Sequence, residues 1–208
     1  MAKGKADKAS QALQRADRKV AEAVVPHRET PLVQAIDLFA KLADQPPLRV
    51  LCAAVIAAGL LGGDRRRVRA GVRMLAAHTV ATWTKDAVKH RIDRTRPRSA
   101  VEKSRDHRLS AGRSESKEET SFPSGHSAGA AAVARGFARE YPELGLAAQI
   151  GGGALALAQI PRCAHYPTDI GAGLAIGIAA ELAVDAAFRL LPGGSEVSSK
   201  DSTGTPPA

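Results

Sequence analysis

Aromatic side chains are nearly missing from this chain, which has one Trp, two Tyr and four Phe in 208 residues. That scarcity removes the stacking platforms on which single-stranded nucleic acids are bound. A formal charge of +9 and a pI near 10.0 would otherwise suggest a polyanionic partner. The basic residues also follow no single helix face, so no nucleic-acid partner is expected. Cysteine is reduced to Cys52 and Cys163. Neither has a His at ligand spacing, which excludes a zinc site, and their contrasting surroundings argue against a disulfide. Met1–Glu29 has no apolar core of the kind that marks a secretory signal. Strand-like alternation is absent throughout, leaving an all-α chain.

What is present is a set of apolar, Ala- and Gly-rich runs between two polar ends. The length suits one domain. Residues 1–30 read as a basic arm, solvated or skimming the membrane, in which Leu13, Val20 and Val24 fall near helical spacing. Residues 192–208 are Gly, Ser, Thr and Pro with little to bury, and read as a disordered tail. Between them lie Pro31–Leu42, Leu48–Gly63, Ala70–Val88, Ser124–Arg139, Leu144–Ile160 and Ile170–Leu191. The stretch Asp44-Gln45-Pro46-Pro47 is a stop signal between the first two.

Several runs approach the roughly 20 apolar residues that cross a bilayer, and their small residues suit helix packing in lipid. The expectation is a six-helix transmembrane bundle over 31–191. With the arm in the cytoplasm, six passes return the four Arg of 64–69 there as well, as the positive-inside rule favours. Lys89, His126 and His165 then share the outer face of a bacterial-type plasma membrane. The Lys89–Phe122 loop, with ten Lys and Arg against six Asp and Glu, is cationic on that outer side and reads largely as solvated, its charge suited to attracting anionic headgroups.

Three stretches carry chemistry. Lys89 is followed after six residues by Arg96-Pro97. Pro123-Ser124-Gly125-His126 opens an apolar run. His165 stands four residues before Asp169, with Arg162 just upstream. Fixed cations, a Ser-Gly helix start with unpaired amides and two imidazoles are the parts of phosphoryl transfer without a metal. Each has a bland alternative. Lys89 suits a helix C-terminus, Arg96 a headgroup anchor, and Asp169 a cap for the helix from Ile170. His78, His90 and His107 are assigned no role, and Glu181 and Asp185 read as a polar helix end.

Taken in order, these stretches resemble the three-part signature of the type 2 phosphatidic acid phosphatase (PAP2) superfamily, over roughly Lys89 to Gly173. One part departs from it. Counting back from His165, the family's Arg and Ser positions hold Gln159 and Ala158, and Arg162 lies about one turn nearer the His. The resemblance implies a membrane phosphatase needing no cofactor. His165 would be the nucleophile, Asp169 its hydrogen-bond acceptor, and His126 the general acid and base. Lys89, Arg96, Ser124, Gly125 and Arg162 would bind phosphate. The partners implied are a lipid phosphate or polyprenyl diphosphate substrate and the membrane lipids. The rival readings are a lipid-phosphate binding scaffold without turnover and a vanadate-dependent oxidase on the same site.

Overall fold

The computed structural model describes residues 2–107 and 109–190. The tail assigned to 192–208 lies outside them. Helix α1 spans Ala2–Val24, α2 Pro31–Ala40, α3 Gln45–Leu61, α4 Arg65–Lys89 and α5 Pro97–Glu102. After a loop come α6 (Gly125–Glu140), α7 (Pro142–Leu157) and α8 (Pro167–Leu190). Helix starts follow local chemistry. Thr30 Oγ1 accepts from Val33 N–H ahead of Pro31, Asp64 accepts from Arg67 N–H, and prolines fill first turns, where the missing N–H has no partner to lose.

Helix α6 is central and packs against α4, α7 and α8, while α3 lies against α4. The core between α4, α6 and α8 is built from Ala77, Ala81, Ala128, Ala132, Ala180 and Val184. Helix α8 approaches α6 closely because it carries glycine at the contact. A Cβ on Gly173 would stand 2.4 Å from the Ser124 carbonyl oxygen, and one on Gly177 2.4 Å from that of Ala128. Leu144, Leu146, Ile150 and Leu157 of α7 are exposed, as are Val50, Leu51, Leu60 and Leu61 of α3. Such outward apolar surface fits contact with lipid.

The six expected passes are not all matched by helices of spanning length among the described residues. Helix α2, at the first of them, is too short to cross alone. Its 10 residues rise only about 15 Å, half the hydrocarbon thickness. Side chains at both of its ends reach the same end of the bundle: Arg28 pairs with Glu102, Asp37 with Arg162 and Asp44 with His126. By length and composition α8 can cross a membrane, and the segment Pro31–Ala43 with Gln45–Leu61, bent by 53°, passes only as a pair. The arm therefore shares an end with His126 and His165, while the Arg-rich turn before α4 is at the other. The charge rule cannot place both basic segments in the cytoplasm, and the outward orientation loses that support.

The arm itself is not a solvated extension. Asp17, Ala21 and Val25 are buried against the bundle. The cationic loop is also folded. Strands β1 (Ile92–Arg94) and β2 (Leu109–Ala111) pair antiparallel, a short ribbon that no alternation announced. Arg94 N–H and Arg96 N–H donate to the carbonyls of Glu119 and Glu118, drawing the loop over one end of the bundle. At the opposite end Glu181 and Asp185 are more than a polar helix end. Buried Glu181 accepts from Arg135 and Arg139, and Asp185 from Arg73 and Arg189, so α4, α6 and α8 are tied by ion pairs.

Replacing Gly177 by Ala should destabilise the protein by about 1–3 kcal/mol, because the methyl must enter a filled contact. Gly171→Ala, on the same helix with nothing within 4 Å of the added Cβ, should be neutral or stabilising. Thermal unfolding in detergent compares the two.

Candidate functional site

The site lies where the C-terminus of α4 and the N-termini of α6 and α8 meet. Ser124 is the N-cap of α6. Its Oγ accepts from Ser127 N–H at 3.3 Å and from the Ser127 hydroxyl at 2.9 Å, and its own N–H donates to the Asp169 carbonyl. Ser124 is fully buried, so its main local work is to start α6 and dock it on α8. Gly125 is the first residue of α6, with an amide that has no partner within the helix. A Cβ there would sit 2.9 Å from the Lys85 Cδ, so glycine admits that buried lysine beside the helix start.

The start of α8 follows the same logic. Pro167 takes the first helical position, and Asp169, two residues on, turns back so that Oδ2 accepts from Tyr166 N–H at 2.9 Å, half of a capping box. The capping role allowed for Asp169 is real, and the same carboxylate also stands beside His165. His165 Nδ1 lies 2.7 Å from the Ser121 carbonyl oxygen and 3.7 Å from Asp169 Oδ2. A carbonyl only accepts, so Nδ1 carries the proton and Nε2 keeps its lone pair. The expected direct hydrogen bond to Asp169 is replaced by one to Ser121, with the carboxylate acting at slightly longer range.

The rings of His126 and His165 stand 5.7 Å apart, centroid to centroid, in an edge-on arrangement at 64°. His126 Nε2 is 2.6 Å from Asp44 Oδ1, and its Nδ1 is buried with no hydrogen-bond partner among the described residues. Lys89 Nζ donates to the Thr120 carbonyl at 2.9 Å. Arg96 donates from Nε to the Lys117 carbonyl at 2.5 Å and from Nη1 to that of Ala164 at 3.2 Å. Both cations are thus aimed by backbone oxygens. Arg162 donates from Nε to Asp37 at 2.6 Å and from Nη1 to Gln159 Oε1 at 2.9 Å. The Gln at the family's Arg position therefore holds the nearby arginine.

Burial pushes the His165 imidazole down to about 4, with Arg96 and His126 adding to the fall and Asp169 opposing it. The Arg96 guanidinium is likewise lowered, first by burial, then by Arg98 and Arg162 against the pull of Asp169. His165 is accordingly neutral at neutral pH.

All eight residues singled out in the sequence come to this one end. Four others were missed. Asp44 read as part of a stop signal, yet its carboxylate does not cap α3 and faces His126 instead. Asp37 gave no signal beyond an acid in an apolar stretch. Arg94 is only one of many loop cations by sequence, but its Nη1 is 2.5 Å from Asp169 Oδ1. Asp17 lies in the arm and meets Arg94 Nη2 at 2.7 Å.

A family model described as the PAP2 superfamily matches residues 70–189, more than half of the chain. The protein belongs to the PAP2 superfamily. A solved structure described as the first transmembrane PAP2 type phosphatidylglycerolphosphate phosphatase, from Bacillus subtilis, superposes with a TM-score of 0.62 at 20% identity, covering 88% of this chain and 89% of that one. The PAP2 fold of the bundle is common to both. No curated protein matches this chain. Every motif residue lies within the matched region, whereas Asp17, Asp37 and Asp44 fall before it.

An NMR titration of labelled histidines should place the His165 midpoint near 4 rather than at the ordinary 6.5. Asp169→Asn should lower it further, since the anion that favours the protonated ring is gone. A midpoint that stays put or rises contradicts the arrangement.

Proposed function

We propose that this PAP2 protein hydrolyses a phosphomonoester or diphosphate carried on a lipid, through a phosphohistidine on His165. The observation that carries the reading is the pair of imidazoles 5.7 Å apart with Lys89, Arg96 and Arg162 around them. His165 Nε2 attacks phosphorus, forming the P–N bond as the P–O bond to the lipid breaks. The departing oxygen takes a proton from His126 Nδ1, the ring nitrogen without a partner. Asp44 accepts from the other nitrogen and stabilises the charged ring. Water then attacks phosphorus, His126 takes its proton, and the P–N bond breaks to release phosphate. Lys89, Arg96 and the Gly125 amide neutralise the non-bridging oxygens as charge develops.

Arg162 supplies the cation that the family's missing Arg would, with Gln159 orienting it. The exposed apolar faces of α3 and α7 suit a long acyl or polyprenyl tail lying in the bilayer. Phosphatidate-like, phosphatidylglycerol-phosphate-like and polyprenyl diphosphate headgroups all offer the terminal phosphate that this site addresses.

Phosphate release in detergent from a panel of these lipids tests the reading. His165→Ala should abolish turnover, and His126→Ala should reduce it by about 10²–10⁴. Arg162→Ala should cost about 10²–10³, whereas Gln159→Arg should bring no gain. Lipid binding with no phosphate release from any panel member would favour the scaffold reading; release undiminished in His165→Ala would remove the phosphohistidine.

A further inference from the structure

The N-terminal helix lies outside the PAP2 region, yet it enters the site's electrostatics. Arg94 sits between two carboxylates. Its Nη1 donates to Asp169 Oδ1 at 2.5 Å and to Thr168 Oγ1 at 2.7 Å, and its Nη2 donates to Asp17 Oδ2 at 2.7 Å. The guanidinium lies 4.2 Å over the Tyr166 ring. Asp17 also accepts from Thr168 N–H at 3.2 Å and from the Thr168 hydroxyl. Asp17, Arg94 and Asp169 are 2%, 5% and 0% exposed, so water screens none of these charges well.

A buried Asp169–Arg94 pair alone would be neutral overall. The carboxylate meant to face His165 would then be largely cancelled by its own partner. Asp17 changes the sum: two carboxylates and one guanidinium leave a net −1 beside a ring that gains positive charge as Nε2 bonds to phosphorus. The second carboxylate also competes for the guanidinium, which keeps Arg94 from drawing Asp169 away from His165. Isolated buried charges are costly, and one shared cation between two anions satisfies all three groups at once.

Resting on the phosphohistidine reading, we propose that Asp17 of α1 is a positioning residue for catalysis. Through Arg94 it sets the charge and orientation of Asp169, so that the arm is a working part of the active site. His165 itself is faced by Asp169 from α8, Arg96 from the loop and His126 from α6. Of these, Asp169 is the one that Asp17 reaches.

The test uses the full chain in detergent. Asp17→Asn should lower kcat by on the order of tenfold to a hundredfold, the scale of a small misplacement at the reacting centre, with KM within about threefold. Asp17→Glu should recover most of the rate. Glu22→Gln, an exposed change on the same helix, should match the parent protein. Orthovanadate and inorganic phosphate separate chemistry from simple binding. Vanadate bonds to a histidine nitrogen and draws positive charge onto it, so Asp17→Asn should weaken vanadate about tenfold and leave phosphate within about twofold. Asp17→Asn with kcat and vanadate affinity both within twofold of the parent overturns the proposal, including when its melting temperature falls. A parent protein that neither releases phosphate nor binds vanadate overturns the phosphatase reading, and the proposal with it.

Discussion

The backbone contact between α6 and α8 is the constraint on which the site depends. Gly173 and Gly177 let α8 rest almost directly on the carbonyls of Ser124 and Ala128, and the Ser124 N–H closes the contact by donating to the Asp169 carbonyl. Those residues are also the starts of the two helices that carry His126 and Asp169. A structural necessity, close packing of small residues where hydrophobic volume is scarce, thus fixes the relative position of two motifs far apart in sequence. The position of the α6 start relative to Asp169 follows from that contact, while the Ser121 carbonyl holds the His165 ring.

Backbone oxygens also aim several of the site's side chains. Lys89, Arg96 and His165 each donate to a carbonyl, of Thr120, of Lys117 and of Ser121. All three belong to the loop between α5 and α6. A carbonyl orients a cation without cancelling its charge, so a positive field survives for an incoming anion. The carboxylates that are present serve the exceptions: Asp44 on His126, Asp37 on Arg162, and Asp169 with Asp17 on Arg94.

Much of this was legible in the residues. The motifs at Lys89–Pro97, Pro123–His126 and His165–Asp169 pointed to one end of the bundle, because each couples a chemical group to a helix boundary with its own Pro, Gly or capping signal. The apolar runs located α3, α4, α6, α7 and α8 to within a few residues. What stayed hidden depends on tertiary contact. Asp17, Asp37 and Asp44 are ordinary acids in sequence, and only folding shows which cation each meets. Pro31–Leu42 looked like a span because its composition is apolar, but composition does not reveal that a ten-residue helix stops short. The strand pairing in the cationic loop rests on three residues a side, too few for periodicity to register.

The placement of α1 has a practical consequence for handling the protein. Because Asp17 is wedged beside Thr168 and Arg94, a fusion partner or affinity handle joined ahead of α1 would load the element that abuts the Arg94–Asp169 pair. Helix α8 runs the other way and leaves the bundle at the end bearing Glu181 and Asp185, so attachment beyond Leu190 keeps foreign mass remote from the reacting groups.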